Sequence, residues 1–239
     1  MKKLQGLIAA VIILMIASVA QAATINGTGL QTILDVRTQS GSSTVDAMGA
    51  SNSALANDAI WNQTATKASL EVLIINTGGY SFGIYDAVNR ANRVELFAGN
   101  AAEGSSMAFE IFADGSVRKG FVDTGINFAT ESFGFYLSDG VNYIYSSDVL
   151  IDHMVAFQGT DDMFEAYAGR GYGRWSVDEY ILAWDWTGDA GLGANFIDYL
   201  VMVESVDPAA VPEPSSLLLL GGGLIGLGFT GYRRLQNKR

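Results

Sequence analysis

The chain has no cysteine, a single histidine, and only three prolines, all at or beyond position 208. The first absence excludes disulfides, thiol nucleophiles and thiolate zinc sites, so the fold must be held by its core alone. One histidine, His153, excludes histidine-rich metal centres and suits a hydrogen-bonded structural role at the start of a strand. No G-x-S-x-G occurs, so no serine has the setting of a nucleophile elbow. Without proline before 208, extended segments run uninterrupted. The chemistry left is that of oxygen: carboxylates, amides and hydroxyls, with a hard cation as the natural guest.

Positive charge is scarce as well. Between residues 23 and 211, eight Lys and Arg face 24 Asp and Glu, a net charge of −16. The six other basic residues, Lys2, Lys3, Arg233, Arg234, Lys238 and Arg239, belong to the two ends. Such a body attracts cations but offers no charge-driven binding to nucleic acid or anionic lipid. Acidic residues spread over a solvated surface account for most of this charge.

The ends carry the long apolar runs. Lys2 and Lys3 precede LIAAVIILMIA, and SVAQA places small residues at Ala20 and Ala22. This is a signal peptide over 1–22, cut by signal peptidase, with the mature chain exported from Ala23. At the other end Ser215 to Tyr232 holds no charge, and Arg233, Arg234, Lys238 and Arg239 follow. Eighteen residues at ~1.5 Å each just span a ~30 Å hydrocarbon core. The basic tail, 233–239, keeps the C-terminus cytoplasmic, in agreement with an exported body. Six glycines and no amphipathic face argue against a buried core helix.

The body, 23–207, reads as all-β. Residues 24–66 are rich in Ser, Ala, Asn and Thr, and suggest a strand near Thr32 to Arg37 and then a loose polar loop. From Leu70 onward LEVLIIN, YSFGIYDAV, RVELFAG, MAFEIFADG, SFGFYLSDG, VNYIYSS, HMVAFQG, YILAWDW and YLVMVESV recur between Gly, Asn, Asp and Ser. Met107, Phe109 and Ile111 share one face, as do Phe133, Phe135 and Leu137, a period of two that marks half-buried strands. Asp114-Gly115 and Asp139-Gly140 sit where hairpin turns belong. The expected architecture is an antiparallel β-sandwich, jelly-roll-like. FGIYDA and FGFYLS resemble one another without a fixed repeat period.

Three groups could carry chemistry. Asp161, Asp162 and Glu165, and separately Asp178 and Glu179, are acidic clusters that a glycoside-active enzyme would need to poise across a cleft; ordinary acidic loops are the plainer reading. YAGRGYGRW places Arg170, Tyr172, Arg174 and Trp175 among glycines, where they could stack on and hydrogen-bond a glycan, or simply pack on the sheet edge. DWTGDAGLGANFIDYL brings Asp185, Asp189, Asn195 and Asp198 into one glycine-rich turn, a candidate calcium site whose alternative is a self-capping hairpin loop.

The order FGIYDA, VELFAG, ADGSV, SFGFYLSDG, DHMVAFQG, DEYILAWDW, DYLVMVESV and finally VPEPSSLLLL resembles exported bacterial PEP-CTERM proteins with a β-rich domain of unassigned function. The resemblance implies that 208–214 is a linker holding the motif Pro212-Glu213-Pro214, and 215–232 a transmembrane sorting helix. It implies a partner too: a membrane exosortase, a cysteine-type transpeptidase that cuts the tail and releases the body to the cell surface or exopolysaccharide matrix. In that family the last hairpin carries an acidic pattern that invites calcium. Here Gly193, Asn195 and Ile197 replace three of its polar positions and only Asp198 matches, which weakens the site. The functional expectation is a non-enzymatic surface or biofilm-matrix protein, with a glycan-binding module and a glycoside-active enzyme as alternatives.

Overall fold

Alternation at a period of two builds most of the molecule. The computed structural model describes residues 24–26, 28–49, 51–64, 70–76, 78–148, 151–187 and 195–209. The signal peptide expected over 1–22, the motif Pro212-Glu213-Pro214, the spanning segment 215–232 and the basic tail lie outside these residues. Among the described residues no helix is long and apolar enough to cross a membrane.

Two antiparallel sheets and a small hairpin are present. The first sheet runs in the order β15 (Val206–Pro208), β1 (Trp61–Gln63), β8 (Phe133–Ser138), β3 (Ser81–Asp86) and β4 (Arg93–Phe97), with β9 (Tyr143–Tyr145) also on β8. The second runs β10 (Met154–Gln158), β13 (Glu179–Trp184), β14 (Tyr199–Glu204), β2 (Leu70–Asn76), β5 (Ser106–Ile111), β6 (Ser116–Lys119) and β7 (Val122–Asn127). The hairpin pairs β11 (Asp162–Phe164) with β12 (Gly173–Trp175). Residues 22–209 form one unit.

The inward faces of both sheets feed one core. Phe82, Ile84, Phe133, Phe135 and Leu137 come from the first sheet; Phe109, Leu182, Trp184, Tyr199 and Val201 from the second. Each fully buried side chain of this size contributes about 2–3 kcal/mol of apolar transfer. The expected shared faces hold: Phe109 and Ile111 are buried together, and half-buried Met107 packs against them. Asp114-Gly115 and Asp139-Gly140 do turn the β5–β6 and β8–β9 hairpins, with Gly115 at φ 86° and Gly140 at φ 93°. The β3–β4, β5–β6–β7 and β13–β14 connections stay within one sheet, a meander-rich connectivity unlike the two Greek keys of a jelly roll.

The second sheet is buried on its other face too. Val155, Phe157, Ile181, Ala183 and Leu200 point there, under a layer that contributes Leu30, Leu34, Phe164 and Trp175. That layer corrects two expectations. The strand foreseen near Thr32 to Arg37 is a helix, α1 (Gly29–Arg37). Leu30, Ile33 and Leu34 stand at i, i+3 and i+4, so only a helix turns all three toward the sheet. Arg37 in its last turn complements the helix dipole. The segment after it is not loose. The Gln31 amide donates to Asp35 Oδ1 (2.9 Å) and the Val45 carbonyl (3.1 Å) and accepts from the Ala47 N–H (2.7 Å). Asp35 in turn accepts the Ser43 N–H at 2.9 Å. Polar side chains here replace the missing backbone ladder, and Val45 and Ala47 are buried beneath them.

On the outer face of the first sheet the two F-G-x-Y segments are antiparallel neighbours, Gly83 opposite Tyr136 and Tyr85 opposite Gly134. Tyr143 and Tyr145 of β9 close over them, with the Arg93 guanidinium 3.8 Å above the Tyr143 ring and donating to Tyr145 Oη (2.7 Å).

Candidate functional site

The glycine-rich stretch Tyr167 to Trp175 has two halves. The first is a turn in which Gly169 (φ 87°) and Gly171 (φ 81°) aim their N–H groups at Glu165 Oε1, at 3.1 and 3.4 Å. A carboxylate of the chain itself thus occupies the position an outside anion would take. The second half is β12, which pairs with β11 and lays Trp175 on Phe164, ring centroids 5.4 Å apart.

Of the four residues expected to meet a glycan, three converge. Arg170, Arg174 and Trp175 line one cleft of about 90 Å³ beside the hairpin. Trp175 is only 1% exposed and donates its indole N–H to the Glu179 carbonyl (3.2 Å), so almost none of its ring is open for a sugar to stack on. Tyr172, 45% exposed, does not line it. Phe164, Ala166 and Met202 complete its apolar lining, and Glu179 and Glu204, direct cross-strand partners on β13 and β14, complete its polar one.

The acidic clusters are mostly engaged in holding the fold. Arg174 Nε donates to Asp161 Oδ1 at 2.7 Å; that hydrogen bond first, then the Arg174 charge, holds the Asp161 carboxyl below its usual range. Asp162 Oδ2 accepts from the Thr44 N–H (2.9 Å) and the Ser43 hydroxyl (3.1 Å), tying the hairpin to the α1 layer. Glu179 Oε2 accepts the Ser176 N–H at 2.5 Å. His153 sits as expected, its Nδ1 3.0 Å from the Asp185 carbonyl.

The expected calcium ligands are capping groups where they are described. Asp185 Oδ1 accepts from the Thr187 N–H (3.0 Å) and hydroxyl (2.7 Å), and Oδ2 from the Asn195 N–H (3.1 Å). Asp198 Oδ2 accepts the Trp186 N–H at 2.8 Å, and Asn195 Oδ1 that of Ile197 at 3.3 Å. Asp189 lies outside the described residues. Among those described, no group of three or more acidic or histidine side chains is placed to hold a metal ion.

Glu179, Glu204 and Met202 were not foreseen as companions of Arg170. They lie up to 34 positions away in sequence, and only the β13–β14 register brings them to the cleft. No local pattern signals them.

Ala209, the last residue described, donates its N–H to the Ile60 carbonyl at 2.7 Å. Residues 210–234 match the PEP-CTERM protein-sorting motif. The chain carries a PEP-CTERM sorting signal. No curated protein and no solved structure matches the chain. The PEP-CTERM motif indicates exosortase-dependent sorting of an exported protein that passes through a membrane-anchored precursor. Its Pro212-Glu213-Pro214 triplet falls inside the matched range.

Proposed function

We propose that this PEP-CTERM protein is a non-enzymatic component of the cell surface or exopolysaccharide matrix, with a structural or adhesive role. Its two facing sheets form an acidic β-sandwich that exosortase frees from the membrane. The observation that carries this reading is the sorting motif at 210–234, directly after the body. The non-enzymatic part is supported by the employment of Asp161, Asp162, Glu165 and Glu179 in ion pairs and backbone hydrogen bonds. Mass spectrometry of the extracellular protein tests it: the tail from Ser215 onward is expected to be missing, and Glu213→Ala to retain full-length precursor at the membrane. An intact tail on protein recovered from the matrix overturns the processing step.

A second reading, glycan recognition, is favoured by the cleft that gathers Arg170, Arg174 and Trp175. It gives the adhesive role a site, and a glycan array tests it.

A further inference from the structure

We propose that the segment Leu55 to Asp58 is a strap over the free edge of β10, closed while the Asp58 and Asp152 carboxyl groups are protonated and released as they ionise. The accessibility of one edge of the second sheet is then set by pH.

The edge is the first argument. β10 ends the second sheet, so one of its sides has no strand partner. The His153 carbonyl accepts the Asp185 N–H, which turns the backbone groups of 153, 155 and 157 toward β13 and those of Met154 and Ala156 away from it. A bare edge of this kind is a template for another chain. Here the strap meets it. The Leu55 N–H donates to the Ala156 carbonyl at 2.9 Å, and Asp58 Oδ2 accepts the Ala156 N–H at 3.0 Å. Asp152 Oδ1 accepts the Met154 N–H at 3.3 Å. One backbone amide and two carboxyl groups thus stand in for a neighbouring strand.

The far end of the strap has its own anchors. The Trp61 indole N–H donates to the Asp58 carbonyl at 2.6 Å, and the Ala59 carbonyl accepts from the Ser146 hydroxyl at 2.6 Å. These bonds do not involve β10, so residues 55–58 can leave its edge while β1 stays in the first sheet.

Charge supplies the trigger. Met154 and Ala156 are two residues apart, about 7 Å along a strand, so the two carboxyl groups serving them sit side by side. Both residues are half-buried. Among the described residues, ion pairs join Arg37 to Glu103, Arg90 to Asp148 and Arg174 to Asp161, and none reaches Asp58 or Asp152. The charged group that acts on Asp58 is Asp152, and the one that acts on Asp152 is His153. Two ionised carboxylates in this setting lose water and repel one another. Burial first, then the Asp152 charge, holds the Asp58 carboxyl well above its usual range, and burial lifts Asp152 to about 6. The closed strap therefore binds protons more tightly than the open one. Its hold is complete below about pH 4 and is lost as pH rises through about 6.

Hydrogen exchange read by mass spectrometry on the full-length chain in a zwitterionic detergent tests this, at pH 4 and pH 8, with rates corrected for the intrinsic pH dependence of exchange. Protection of the Leu55 and Ala156 amides is expected to fall by roughly 50-fold relative to the β13 amides, from the Asp152 shift alone. Asp58→Asn and Asp152→Asn each keep an oxygen for the amide they serve and remove one charge. Each should shrink the pH dependence, and the pair should abolish it, with melting temperatures showing that the body stays folded. Either single variant decides the matter if the double one does not fold. A change within threefold between the two pH values overturns the proposal. So does an undiminished pH dependence in the variants, which would take the trigger away from these carboxyl groups. Equal loss of protection in β13 would mean that pH loosens the whole body rather than the strap, and overturns it as well.

Discussion

The Tyr85 ring lies where a side chain on Gly134 would begin. The two are direct antiparallel partners on β3 and β8, and a Cβ built on Gly134 falls 2.3 Å from Tyr85 Oη. The reciprocal pair one step along, Gly83 and Tyr136, has the same relation, with a Gly83 Cβ 2.7 Å from the Tyr136 ring. Each F-G-x-Y segment thus supplies an aromatic ring and receives one over its glycine, which explains why FGIYDA and FGFYLS look alike. Cross-strand covering of a glycine by an aromatic ring also fixes register, because a one-residue slip would turn both rings into the core face.

Gly134→Ala is therefore expected to destabilise the body by about 1–3 kcal/mol through overpacking, a fall in melting temperature of roughly 2–10 °C at this size. Since the obstacle is the Tyr85 ring, Gly134→Ala with Tyr85→Ala should cost less than the sum of the single changes. Strict additivity in thermal melts would sink the pairing argument.

How far the sequence discloses this fold depends on what each segment shows locally. β3, β8, β13 and β14 announce themselves because six-residue runs rich in apolar and aromatic residues have no other use for their alternation. α1 is hidden because its nine residues hold four apolar positions, one of them the exposed Val36, too little for a clear period, and its burial comes from the sheet and loop residues it packs against. β11, β12 and β15 are three residues long, below any readable period. Arg170 and Arg174 are legible as candidates because glycines surround them. The carboxylates facing them depend on strand register, which local composition does not encode.

Asp152, just before β10, is half-buried with Oδ1 accepting the Met154 N–H at 3.3 Å. Burial pushes its carboxyl up to about 6, outweighing that hydrogen bond and the His153 charge, which pull it down. Asp58 nearby is raised as well, by burial first and by the Asp152 charge second. The folded state thus holds the Asp152 proton more tightly than the unfolded chain, where the value is about 3.9. Ionisation disfavours folding: the penalty is absent below about pH 4, grows through pH 6, and is complete by pH 8. Asp152→Asn keeps an acceptor for Met154 and removes the charge. It should be more stable than the wild type by on the order of 2 kcal/mol at pH 8, with the advantage gone at pH 4. Urea denaturation at the two pH values measures this, and a variant no more stable at pH 8 contradicts it.

The turn between β6 and β7 consists of Gly120 (φ 55°) and Phe121 (φ 69°), since Lys119 pairs with Val122. Two central residues of positive φ define the mirror-image hairpin turn that matches strand twist, and Asn and Gly are its natural occupants. Phe121 meets that geometry against its own sterics, at a cost of about 1–2 kcal/mol for a left-handed non-glycine residue. Its side chain is 76% exposed, so burial recovers little of this. Glycine would relieve the strain but also enlarge the freedom of the unfolded chain, which blurs the comparison. Asparagine tolerates the left-handed region without that entropic cost. Phe121→Asn should therefore raise stability by about 1 kcal/mol, or roughly 2–4 °C. The ring's only described shelter is a shallow hollow with Ala108, Glu110 and Arg118. A lower melting temperature for the asparagine variant would mean that contact outweighs the turn strain, and would assign Phe121 a packing role on the edge of the second sheet.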